Sequence, residues 1–106
     1  MNQKKIKKEY SKAWNLLKES ELFNSPFYVR RDLYDFFDEQ GIYCSVYPEF
    51  DRNNNVKWYW AIDIIEEDIH TDKFFIFRQE AEEQAFLKAF EILENHLKEK
   101  QNEPSN

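Results

Sequence analysis

The side chains of this chain that could do more than pack are few: one cysteine, two histidines and a run of carboxylates. Asp63, Glu66, Glu67, Asp68 and Asp72 fall at a strand end and in the loop after it. Oxygen-rich clusters of this kind hold magnesium or calcium. A calcium loop, however, spaces its ligands at alternate positions around a glycine, and this stretch has neither feature. A nuclease centre sets a lysine beside strand carboxylates, and Lys73 fits that role poorly. His70 reads as a loop residue. His96 lies near the end of the last helix, where the dipole favours positive charge. Neither has a second histidine or a cysteine at ligand spacing. Cys44 alternates with Ile42 and Val46, the pattern of a small buried apolar residue with no base beside it. One cysteine makes neither an internal disulfide nor a four-thiolate zinc site, and one glycine, Gly41, cannot build a phosphate-cradling loop. The expectation is no catalytic set, no resident metal and no cofactor, so the chain reads as a protein that is not an enzyme.

Binding chemistry is better represented. Ten Phe, six Tyr and three Trp residues supply 18% of the chain, and each ring removes about 150–250 Å² from water when covered. Tyr43, Tyr47 and Tyr59 alternate away from Trp58 and Trp60, so they belong to the second face of a sheet. Phe75 and Phe77 join them, or exchange with Phe74 and Ile76, according to the parity of the following strand. If helices cover only the tryptophan face, the tyrosines form an apolar surface of the kind that marks a partner site or self-association into a homodimer. RNA-binding sheets stack bases on such rings, but with basic neighbours; here Lys57 is outnumbered by Glu49 and Asp63. The other candidate is electrostatic. Residues 1–18 carry six lysines against one glutamate, a net +5, whereas residues 19–106 carry −11 within an overall −6. Lys4, Lys5, Lys7 and Lys8, with Arg30 and Arg31, make the alternative, nucleic-acid-binding set. The acidic body repels a phosphate backbone at long range.

The elements that must position these groups follow from periodicity. Ile6, Tyr10, Ala13, Trp14 and Leu17 predict an amphipathic helix over residues 4–20. Ser25-Pro26 reads as a helix start, and the stripe Val29, Leu33, Phe36 and Phe37 carries that helix over 26–40 until Gly41 closes it. The period then becomes two: Ile42, Cys44 and Val46, then Val56, Trp58, Trp60, Ile62 and Ile64, with Asp51-Arg52-Asn53-Asn54-Asn55 as the turn. Glu66 to Asp72 reads as a loop and Lys73 to Phe77 as a short third strand. Ala81, Ala85, Phe86, Ala89, Phe90, Leu93 and Leu97 predict a last helix over about 79–99, with Glu80, Glu82 and Glu83 in its first turn. The expected fold class is α+β: a two-layer domain over residues 1–100, a three-stranded antiparallel meander packed against helices in the order α-α-β-β-β-α, with a disordered tail at 101–106.

The run Phe74-Phe75-Ile76-Phe77-Arg78-Gln79-Glu80-Ala81-Glu82-Glu83-Gln84-Ala85-Phe86-Leu87-Lys88-Ala89-Phe90-Glu91-Ile92-Leu93 resembles the C-terminal end of small uncharacterised proteins of Bacteroidetes and their phages, in which a strand leads into an "EAEEAA-x-KA-x-EIL"-type helix. The resemblance covers about residues 58–93 and implies a phage or mobile-element setting without a defined activity. An AT-rich genome fits it: Phe, Tyr, Met, Ile, Asn and Lys make up 45 residues, and Gly, Ala, Arg and Pro only 13. The helix, meander and helix also resemble the layout of double-stranded-RNA-binding domains. Where that family carries lysines, this chain has Asp72, Glu80, Glu82 and Glu83, so only the architecture transfers. No apolar stretch is long enough for a membrane span, and Met1-Asn2-Gln3-Lys4-Lys5 does not open a signal peptide. With a free cysteine, this fits the cytoplasm. The functional expectation is a non-catalytic interaction module acting as an inhibitor or adaptor of a host or phage protein. The alternative is a nucleic-acid-binding accessory protein that uses the basic first helix.

Overall fold

The computed structural model describes residues 3–20 and 30–102. They form α1 (Gln3–Glu9), α2 (Ser11–Glu19), α3 (Arg30–Glu39), β1 (Tyr43–Phe50), β2 (Val56–Ile64), β3 (Glu67–His70) and α4 (Arg78–Asn102). The strands make one antiparallel sheet in the order β1-β2-β3, and the helices pack on one side of it. This is the expected α+β meander, with a further helix because the first one is broken. The Ser25-Pro26 helix start and residues 103–106 of the expected tail lie outside the described residues. Gln101 and Asn102 belong to α4 rather than to that tail.

The core is the meeting of the apolar stripes. Phe36, Phe37, Phe86 and Phe90 are buried with Ile6, Leu17, Ile42 and Ile62. Their rings meet edge-on where space allows: Phe37 lies 4.9 Å from Phe90 and 5.2 Å from Phe36. Trp14 is buried as expected, whereas Trp60 is only half-buried against this cluster. Gly41 ends α3 at φ +76°, a conformation side chains disfavour. The Ile42 amide donates to the Phe37 carbonyl at 2.9 Å and the Gly41 amide to Asp38 at 3.0 Å, which satisfies the last free carbonyls of the helix.

Two elements differ from expectation. The predicted helix over 4–20 breaks at Tyr10, although the residues there carry no helix breaker. Glu94 of α4 is the cause. Its Oε1 and Oε2 accept the Lys12 amide at 2.7 and 3.1 Å, and Oε2 accepts the Ala13 amide at 3.5 Å. In a continuous helix those amides would bond to the preceding turn. A side chain inserted into the ladder is a recognised source of kinks, and here it also caps α2, whose own N-cap residue, Tyr10, supplies no side-chain bond.

The third strand is the other correction. It occupies Glu67–His70, the stretch expected as loop, so Asp68 and His70 are strand residues. Of the predicted strand over Lys73–Phe77, only Phe75 pairs, as an isolated bridge to Trp58 with reciprocal 2.8 Å bonds. Between the two, Thr71 turns the chain. Its amide still reaches the Trp60 carbonyl at 3.2 Å, but its hydroxyl accepts the Lys73 amide at 3.1 Å, a local bond that competes with the ladder.

Candidate functional site

The antiparallel register assigns every strand residue to a face. Tyr43 opposes Asp63, Ser45 opposes Ala61, Tyr47 opposes Tyr59 and Glu49 opposes Lys57. On β3, His70 opposes Ala61 and Asp68 opposes Asp63. Partners in such a pair share a face. Of the complementary set, Cys44, Trp60, Ile62, Ile64 and Ile69 pack toward the buried helical cluster, and Val46, opposite Trp60, shares their face. The expected division of β1 and β2 therefore holds, and Tyr43, Tyr47 and Tyr59 lie together on the face turned away from the helices.

That face is ordered in rows. Tyr47 and Tyr59 stack with ring centres 5.7 Å apart and planes 17° from parallel. Because Phe75 bridges Trp58, it belongs to the tryptophan face, and Phe74 takes the tyrosine face beside Lys57. The Lys57 ammonium sits 4.6 Å from the Phe74 ring centre, a cation–π contact. Tyr43 is 53% exposed and Phe74 51%, while the stacked Tyr47 and Tyr59 are half-buried. Folding normally covers side chains of this size, so a group of them on one sheet face is a notable apolar surface.

The acidic end of the same face begins where Asp63 and Asp68 stand directly across from each other. Hydrogen bonding and charge repulsion from Asp68 raise the Asp63 carboxyl above its usual range, and nearby His70 works in the opposite sense. Among the described residues no group of three histidine, cysteine or acidic side chains is disposed to hold a metal ion. Glu66 lies in the turn between β2 and β3, and Glu67 opposes Ile64 on the other face, so the expected cluster is split by strand pairing.

The nucleic-acid set is distributed differently. Lys4, Lys5, Lys7 and Lys8 are exposed on α1, while Ile6 between them is buried. Arg30 and Arg31 begin α3, but their side chains lie outside the described residues. The helical layer, not the tyrosine face, carries the basic helix.

Two of the remaining ionisable groups are held protonated by partial burial. Burial, with Asp38 adding repulsion, pushes the Cys44 thiol up to about 12, so it stays protonated at neutral pH. Burial and the adjacent Glu82 carboxylate push the Tyr34 phenol up to about 12 as well. Glu82, expected in the first turn of the last helix, lies just past the first turn of α4 and is buried, with Arg78 3.4 Å away. Glu94 and Glu82 are the functional carboxylates of the interior that the sequence reading missed. The signal was present: each lies one residue after a stripe position (Ala81 or Leu93), and Glu94 is four residues from Phe90. His96 is exposed near the end of α4. An open groove of about 400 Å³ between α2 and the end of α4, lined by Lys12, Asn15, Leu16, Glu19, Leu97 and Lys100, mixes charges of both signs.

No helix of the described residues is long and apolar enough to cross a membrane. No family model, no curated protein and no solved structure matches the chain.

Proposed function

We propose that this chain is a non-catalytic protein-interaction module of a phage or mobile element, acting in the cytoplasm as an inhibitor or adaptor of a host or phage protein. The observation that carries the reading is the aromatic face away from the helices: the exposed Tyr43 and Phe74 beside the half-buried, stacked Tyr47–Tyr59 pair. Covering exposed aromatic area is favourable by about 25 cal/mol per Å², and tyrosines add a polar tip suited to interfaces. The thiol and the buried phenol are both held protonated at neutral pH, which supports a binding role over a nucleophilic one.

A second reading rests on a different observation, the exposed lysines of α1. On that reading the protein is a nucleic-acid-binding accessory factor. The two readings separate by salt and by mutation. Binding through α1 releases counterions and weakens steeply with salt, whereas binding through the aromatic face depends on apolar area and changes little. Two variants decide: Lys4, Lys5, Lys7 and Lys8 changed to glutamine, and Tyr43 with Tyr59 changed to serine. The tyrosine variant is expected to lose the protein's biological effect and the lysine variant to keep it. The reverse pattern transfers the function to the basic helix.

A further inference from the structure

We propose that the partner segment seated on the open sheet face presents a basic side chain, arginine in preference to lysine, beside apolar side chains. The cation meets the Asp63–Asp68 pair and the apolar groups meet the tyrosine row. The inference rests on the interaction reading above and names the chemistry of its partner.

The argument starts from the order of rows on the face. Tyr47 and Tyr59 form the aromatic row, with Phe74 near it under the Lys57 ammonium. The next row holds Ser45, Ala61 and His70, with the small Ala61 buried between its neighbours. Beyond it come Tyr43, Asp63 and Asp68, side by side. Going across the face, the tyrosine pair is thus followed, one row of smaller and polar residues further on, by an aromatic ring beside two carboxylates. A guanidinium suits that end: its flat face stacks on a ring while its edge forks to carboxylate oxygens.

Charge then selects among occupants. Asp63, Asp68 and Glu49 outnumber Lys57 on this face, and the Lys57 ammonium already lies over Phe74. Two carboxylates directly opposed across a strand pair repel each other, and a cation between them relieves that repulsion. A polynucleotide brings phosphates to the same two carboxylates and is disfavoured. A second copy brings a net charge of −6 to the acidic end and is disfavoured for the same reason. A basic, apolar polypeptide segment complements the face in both charge and area.

The test uses the full folded chain as bait for a displayed library of random peptides. Expected are enriched peptides with arginine next to leucine, isoleucine or an aromatic residue. Changing Asp63 and Asp68 together to asparagine should weaken them by about tenfold or more, and Tyr43→Ser should weaken them similarly. The asparagines keep shape and remove only charge from exposed positions, and circular dichroism checks that the fold is intact. Replacing the peptide arginine by lysine should cost affinity, and by glutamine more. Peptides that depend on Tyr43 and Phe74 but carry no basic residue, or ignore the asparagine variant, overturn the partner chemistry and leave the docking face standing. Failure to enrich any peptide sensitive to Tyr43→Ser or Phe74→Ser overturns both. A dimer in sedimentation that Tyr43→Ser dissociates also overturns the proposal, because the occupant is then a second copy.

Discussion

Replacing Glu94 by alanine should be among the most damaging single substitutions in this chain, although a glutamate late in a charged helix looks dispensable. The carboxylate is 2% exposed and accepts the amides of Lys12 and Ala13. Alanine leaves two donors at the start of α2 without their acceptor, one of them fully buried. An unsatisfied buried donor costs about 1–3 kcal/mol, and bonds to a charged acceptor lie at the upper end of that scale. The longer bond of Ala13, at 3.5 Å, contributes less than the 2.7 Å bond of Lys12. Together with the small cavity, the expected loss is about 2–4 kcal/mol. For a domain of this size that lowers Tm by about 10–25 °C. Glutamine keeps one acceptor oxygen without the charge and should lose about 1 kcal/mol. Urea denaturation followed by circular dichroism measures both. If Glu94 merely decorated the surface, alanine would be neutral or slightly stabilising, because alanine is the better helix former. An alanine variant within about 0.5 kcal/mol of the parent, or a glutamine variant as damaged as the alanine one, refutes the capping account.

Three further outcomes follow from the same structure. The Asp63 carboxyl is raised in the folded state, so its contribution to stability is present at low pH and lost as pH rises through its folded value. Asp63→Asn should therefore gain Tm relative to the parent near neutral pH, and the gain should shrink at acid pH as Asp63 itself takes up its proton; an equal difference at both pH values contradicts the pairing with Asp68. Gly41 has φ +76° and open space where a Cβ would stand, so Gly41→Ala should cost about 1–2 kcal/mol from backbone strain alone, and Gly41→Asn less, in the same denaturation assay. With its thiol pushed up to about 12, Cys44 should react with iodoacetamide at neutral pH about a thousandfold more slowly in the native protein than in urea; comparable rates would contradict its burial.

Where the sequence was legible, the information was local. The helical stripe of α4, the switch of period at Gly41 and the polar turn at Asp51 are all written in neighbouring residues. That turn forms as expected, with the Asp51 Oδ1 accepting the amides of Asn53 at 2.8 Å and Asn55 at 3.0 Å, which holds its carboxyl below the usual range. What was not legible depended on distant residues. The break at Tyr10 is imposed from Glu94, eighty-two positions beyond Lys12. The third strand was displaced because an edge strand tolerates charge. Glu67-Asp68-Ile69-His70 shows one apolar residue and reads as loop, while the aromatic run Phe74 to Phe77 reads as strand yet pairs at one residue only. The tyrosine face itself was readable from alternation. Its extension to Phe74, and the opposition of Asp63 to Asp68, needed the register.

The most direct test of the central claim is site-specific photocrosslinking in living cells with the full chain. A photoreactive phenylalanine analogue replaces Tyr43 or Phe74 on the open face, and in a parallel variant Lys8 on α1. The account predicts a discrete protein adduct from positions 43 and 74, resistant to nuclease, with position 8 giving no equivalent product. A nuclease-sensitive adduct from position 8 alone, with the open face silent, would contradict it.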